Sequence, residues 1–333
     1  MELHRVTDTA ARQAIDSAKT FKEYLRVRHE LDALGGSMFW KLVDTYEYLV
    51  QRSARKLHYL GPRSPETEKK YEEHHARKKR LQERANALQT MVETYQRMNK
   101  AVHAGSVPTA IINVLRKLDD LGVGEHSLVL GAPAVYAYLQ PSGVSVDAIK
   151  TAAQHRRLAE SAVEQFALLV EEPSPLSAWK TTFSRIKTAL KDVEVEEVAS
   201  APRAKTHVLR LLFRPDGETP KKKSSTKREA AWVQAIKDTP PYEQVVIGQS
   251  GKMALMRTVD PQVFSDMYKR AQQVPEDMCD LPSISRYQAD LVDTLLDEFL
   301  VKSKVDEPMR ERFAQRLGRL DPQVESISLP LQE

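Results

Sequence analysis

The sequence predicts an α+β protein, predominantly helical and built around a small mixed sheet, and three observations carry that expectation. Gly is scarce, 12 of 333 residues, which disfavours all-β architectures and Gly-rich phosphate loops alike. Long stretches place apolar residues at helical spacing. The middle of the chain holds short apolar runs bounded by turn residues, Leu128 to Leu130 and Thr206 to Phe213 among them, which read as strands.

In chain order, Thr7 to Leu34 reads as one amphipathic helix, with Ala14, Ala18, Phe21, Leu25 and His29 near one face and Gly35-Gly36 as its stop. Ser37 is the expected cap of a second helix reaching about Arg52. Its large rings, Phe39, Trp40, Tyr46 and Tyr48, read as buried core in preference to a base-stacking platform. Leu60 to Pro65 forms a rigid turn ending in an N-cap serine, Ser64, and a proline at the first helical position, with Glu66 and Glu68 placed against the helix dipole. The long helix that follows, residues 64–104, carries Tyr71, His74, Lys78, Leu81, Ala85, Leu88, Val92, Tyr95, Asn99 and Val102 at alternating steps of three and four, the heptad seam of a coiled coil. From Leu81 onward that seam packs either back on the 7–34 helix or across a homodimer. His74 and His75 point about 100° apart on a helix and so cannot chelate one ion together; both read as surface histidines.

Ser106-Val107-Pro108 opens a further helix through Ile111, Ile112, Leu115 and Leu118, and Leu128 to Leu130 with Gly131 and the helix of Val135, Tyr136 and Tyr138 form a strand, glycine turn and helix. Residues 160–170 and 177–191 read as helices, and 193–198 and 205–213 as strands. Lys221, Lys222, Lys223, Lys227 and Arg228 belong to a basic linker, read as an exposed loop or as a contact for nucleic acid or an acidic partner. Glu243 to Gly248 and Met253 to Thr258 make a β-hairpin, and helices follow from Pro261 onward. Three regions result: a helical 1–105, an α/β core 106–220, and a linker, hairpin and helical tail 221–333.

Composition narrows the function classes. Lys and Arg total 50 against 46 Asp and Glu, so any basic binding surface is local. The single cysteine, Cys279, forms no intrachain disulfide and has no zinc-ligand spacing around it. A reducing cytoplasm is the expected compartment. Glu2, Asp8 and Asp16 interrupt the N-terminus, against a signal peptide, and no run approaches the roughly 20 apolar residues of a membrane span.

Several segments recur together in one order: Phe39-Trp40 with Tyr48-Leu49-Val50; Leu60-Gly61-Pro62-Arg63-Ser64-Pro65-Glu66-Thr67; and Val129-Leu130-Gly131 with Ala134, Tyr136, Ala137 and Tyr138. Val246-Ile247-Gly248, Asp260-Pro261, Phe264, Lys269 and Gln288-Ala289 continue the order. In this the chain resembles a family of bacterial nucleotidyltransferase-fold proteins with a helical N-terminal extension and a helical tail. The resemblance implies nucleotidyl transfer. A Gly-Ser/Thr turn holds the triphosphate, two carboxylates on the next strand and a third on a later one bind Mg, and two metal ions clamp the attacking and leaving oxygens.

At each of those points the residues depart from the pattern. Gly131 and Ala132 are the expected nucleotide-binding pair, but Ala132 lacks the hydroxyl of the pattern and Pro133 after it lacks a backbone donor. Ser145-Val146-Asp147 offers one carboxylate as metal ligand, and Asp147 reads in preference as a cap for the helix after it. Thr206 to Phe213 carries no acid and places Arg210 where the third is expected. Three functions follow: a pseudoenzyme that binds a protein, a nucleotide or a nucleic acid; an active Mg-dependent transferase drawing ligands from Glu171, Glu172, Asp192 or Glu194; and a helical nucleic-acid binder using Arg77 to Arg84 and Lys221 to Arg228.

Overall fold

Thr7 stands in an extended conformation, and its hydroxyl accepts from the Ala10 N–H. That cap starts α1 (Asp8–Ala33), with the two-residue strand β1 (His4–Arg5) before it. The architecture is that of a computed structural model in which residues 4–53, 56–145, 166–171, 177–201, 205–213, 228–229, 232–271, 286–298 and 303–318 are described.

The predicted second helix is instead a three-stranded antiparallel sheet, β2 (Met38–Val43), β3 (Tyr46–Ser53) and β4 (Lys56–Pro62). Asp44 adopts φ 53° in the two-residue connection between β2 and β3, a left-handed conformation that Asp tolerates better than most residues. Side chains alternate between the two faces of a strand, which puts Trp40 on one face and Phe39, Tyr46, Tyr48 and Tyr59 on the other. Trp40 packs on Tyr71 of the next helix with ring centroids 5.7 Å apart, and Lys41 on the opposite face donates to the Tyr59 hydroxyl.

Ser64 and Pro65 open α2 (Pro65–Ala101) as expected, with a reciprocal capping box between Ser64 and Thr67. Helices α1 and α2 run antiparallel, because Gln13 donates to Asn99 near one end and Glu23 pairs with Arg84 further along. The seam closes within the chain: Val92 joins Phe21 and Leu25 of α1 in one apolar cluster, with Val245, Ile247 and Met253 of the later hairpin. His74 is buried in contrast to its expected surface position, and burial is the main influence lowering its pKa. The backbone at Leu34 opposes that effect, whereas His75 and Lys78 add to it. His75 is exposed and donates Nε2–H to the Met38 carbonyl at 2.9 Å.

Helix α3 (Thr109–Asp120) turns Ile111, Ile112, Leu115 and Leu118 into the main core. Arg28 of α1 reaches Asp119 at 2.8 Å, tying the first helix to this one. Next come β5 (Ser127–Leu130), α4 (Val135–Ser142) and the short β6 (Val144–Ser145), which pairs with β1. Residues 166–170, expected to be helical, form β7 (Phe166–Glu171). Phe166 to Val170 are all buried, and a short continuous apolar run of that kind is what a strand covered on both faces requires.

Helix α5 (Ser177–Ala189), β8 (Val193–Ala201), β9 (Thr206–Phe213), β10 (Arg228–Glu229), α6 (Trp232–Lys237), β11 (Tyr242–Ile247) and β12 (Met253–Thr258) complete the sheet. Its order is β10-β8-β9-β7-β5-β12-β11, with parallel pairs β10/β8 and β5/β12 and antiparallel pairs elsewhere. Both faces are covered: Trp179 of α5 stacks on His207, while Lys237 of α6 reaches Glu171, which pairs with the neighbouring position Thr206 and so faces the other way. Helices α7 (Pro261–Ala271), α8 (Arg286–Glu298) and α9 (Glu307–Gly318) add Phe264, Leu291, Leu295 and Phe313 to the same core. The fold is thus mixed α+β, with a larger sheet than the sequence suggested.

Candidate functional site

The strand, turn and helix around Gly131 form as the sequence predicts. After β5 the chain turns at Gly131 with φ 80° and ψ −160°, a conformation essentially restricted to glycine. Ala132 to Ala134 make one 3-10 turn before α4. A phosphate site at such a turn depends on backbone N–H groups that point outward. Here the Gly131 N–H donates to the Tyr268 hydroxyl at 3.0 Å, Pro133 has none, and the Ala134 N–H turns back to the Gly131 carbonyl at 3.1 Å. Gly131, Ala132, Pro133, Ala134 and Val135 are all buried.

Tyr268 is held by its surroundings. Its ring meets Phe264 at 4.6 Å, and both belong to α7. Asp260, fully buried, stands just before that helix and accepts from the Gln262 N–H at 3.0 Å, the Ser303 hydroxyl at 2.7 Å and the Lys304 N–H at 2.7 Å. One carboxylate therefore caps α7 and fastens the chain ahead of α9 to it. On the other side, Thr258 donates to the Val129 carbonyl and Tyr138 to that of Val259. These bonds lock β5, β12 and α4 together beneath the turn.

Sheet register shows what surrounds the end of β5. Leu130 pairs with Ala167 of β7, Ala167 with Arg210 of β9, and Arg210 with Glu196 of β8. Directly across from the last residue of β5, the neighbouring strand presents an alanine, and the strand after that presents an exposed arginine. Val144 and Ser145 do not join this sheet, since they pair with Arg5 and His4. Asp147 lies outside the described residues, as do Glu172, Lys221, Lys222, Lys223 and Lys227; the backbone of Arg228 pairs with Ala199 in β10.

The remaining acids suggested by the sequence are dispersed. Glu171 is at the far end of β7 from Gly131, because Ser127 at the start of β5 pairs with Val170; its carboxylate lies 3.5 Å from Lys237. Asp192 is exposed, 4.0 Å from Lys117. Glu194 pairs with Leu212 on β8, three strands from β5 and hence roughly 14 Å away across the sheet. Among the described residues no group of three His, Cys, Asp or Glu side chains is arranged to hold a metal ion. Among the described residues, Leu130 and Ala167 in the row at the Gly131 end are apolar and Arg210 is a cation paired in register with Glu196, so that row brings at most one carboxylate toward a pair of divalent ions.

A cavity of about 330 Å³ opens at the other end of α4, lined by Ile15, Lys19, His103, Gln140 and Gly143 among others. The sequence reading missed Tyr268 as the group that closes the turn. No local signal finds it, since it lies 137 residues from Gly131.

The core is a mixed sheet in which β5 breaks at Gly131 into the buried helix α4. A family model described as Nucleotidyltransferase matches residues 109–314. That match spans more than half of the chain, and the protein belongs to this nucleotidyltransferase family. No curated protein and no solved structure gives a significant match. Among the described residues no helix is long and apolar enough to cross a membrane.

Proposed function

We propose that this member of the nucleotidyltransferase family works by binding a partner and does not transfer nucleotides. The observation that carries the reading is the Leu130, Ala167 and Arg210 row beside Gly131. Two-metal phosphoryl chemistry needs several anionic oxygens converging where the triphosphate sits, and a row with two apolar side chains and a cation beside its one acid, Glu196, supports binding without transfer. The closed turn supports the same reading, because the Gly131 N–H already has the Tyr268 hydroxyl as its acceptor. A phosphate entering there would have to displace a buried bond and uncover a packed 3-10 turn.

The test is transfer itself. Full-length protein is incubated with each α-labelled nucleoside triphosphate and Mg, with protein, RNA and small hydroxyl acceptors offered in turn. No labelled product is expected with any of them. Mg-dependent labelling that disappears in Asp147→Ala would overturn the proposal in favour of an active transferase with its metal ligand at that position.

A further inference from the structure

The three-stranded sheet of β2, β3 and β4 lies ahead of the segment matched by the family model, and α2 packs on one of its faces. On that face Trp40 meets Tyr71 of α2, Arg63 lies over Trp40 at 5.2 Å, and Glu47 pairs with Arg63. Register then assigns the opposite face. Phe39 pairs with Val50, Lys41 with Tyr48, Val43 with Tyr46, Val50 with Tyr59, and Arg52 with Leu57. These positions share one side of the sheet.

That side combines rings and cations. Tyr46 is 65% exposed, Tyr59 is 52% exposed, and Arg52 is exposed at the edge of the row. Tyr48 and Tyr59 meet edge to face at 6.2 Å. Lys41 donates to the Tyr59 hydroxyl at 2.8 Å, at the edge of its ring, and Arg52 lies over Phe39 at 5.5 Å. No carboxylate occurs among these paired positions, because Glu47, the acid of β3, points to the other face and is held by Arg63.

We infer that this open face binds single-stranded nucleic acid. Bases stack on Tyr46, Tyr48 and Tyr59, and Lys41 and Arg52 contact the phosphates. The chemistry of the face selects this occupant. Unpaired bases present π faces to exposed rings whatever their sequence, and the backbone they carry is anionic. Tyr46 and Tyr48, two residues apart on one strand, stand about 7 Å from each other, room for separate bases. A duplex buries its base faces within its own stack and gains nothing from the rings. The inference does not depend on whether the Gly131 site is active.

Fluorescence anisotropy with labelled single-stranded DNA and RNA of about 15 nucleotides, against a duplex of the same sequence, tests it on the full-length chain. Saturable binding of the single strands, tighter than the duplex, is the expected result. Tyr46→Ala and Tyr59→Ala should each weaken it roughly 5- to 150-fold, while Tyr46→Phe retains it. Far-ultraviolet circular dichroism confirms that the variants fold. Lys41→Gln and Arg52→Gln should each lower the salt dependence by about one phosphate contact. Absence of single-strand binding, equal binding of the duplex, or binding indifferent to Tyr46→Ala and Tyr59→Ala overturns the inference. So does a concentration-dependent dimer that Tyr46→Ala abolishes, which would give the face to a second copy of the chain.

Discussion

Replacing Tyr268 by Phe tests the closed turn directly, because it deletes one oxygen and leaves the ring. Tyr268 is 1% exposed and its ring packs on Phe264, so the substitution changes core volume little. The loss is the acceptor for the Gly131 N–H, 3.0 Å away and shielded from water. A buried donor left without a partner costs about 1–3 kcal/mol. Urea unfolding followed by tryptophan fluorescence should therefore show a lower midpoint at unchanged slope, since the surface exposed on unfolding is the same. A change below about 0.5 kcal/mol would mean that the Gly131 donor does not rely on Tyr268. The turn would then be open to another acceptor, and the argument that it is sealed against phosphate would fail.

Two further outcomes test the packing around α2. Gly251 has φ 77°, and a Cβ there would stand 2.0 Å from the Gln96 carbonyl oxygen and 2.9 Å from the Lys100 nitrogen. Gly251→Ala should cost roughly 2–5 kcal/mol through left-handed strain plus collision with helix backbone, and a loss under about 1 kcal/mol in urea unfolding would contradict that contact. His74 gives a pH signature. Its folded pKa is depressed below 6.5 chiefly by burial, so the native state binds fewer protons than the unfolded chain between the two values. Stability is fully present above that pH and is lost as pH falls toward the lowered value. His74→Gln should remove this part of the loss, so unfolding midpoints at pH 7.5 and 5.5 should separate less in the variant than in the parent chain; equal separation refutes the assignment.

The elements legible in the sequence are those with local causes. Thr7 and the Ser64-Pro65 pair mark helix starts because a cap acts within three residues, and Gly131 marks a turn that only glycine fits. Ser37 as a cap and the large rings after it suit a core helix as well as a sheet. The signal that identifies the sheet is Asp44-Thr45 between two runs rich in rings, Phe39-Trp40 and Tyr46 with Tyr48, the pattern of a hairpin. Phe166 to Val170 fits a buried strand and a buried helix equally well by periodicity, and only its neighbours on both sides decide. The same non-locality hides the site. That Ala167 stands beside Leu130 follows from antiparallel register between strands 37 residues apart in sequence, and that Tyr268 closes the turn follows from where α7 lands. The absence of acids from 206–213 was visible at once, because it needed composition alone.

The position of β12 in the sheet has a consequence for biosynthesis. Thr258 pairs with Val129 and bonds to its carbonyl, across a separation of 129 residues. A ribosome adds about 5–20 residues per second, so β5 emerges roughly 6 to 26 seconds before the strand that covers its outer edge. During that interval the nascent chain carries an uncapped, apolar β-edge, a template for pairing with other polypeptides. Production of fragments ending before residue 253 should therefore yield aggregates, and a pause in translation between 130 and 253 is the point at which a chaperone has most to protect.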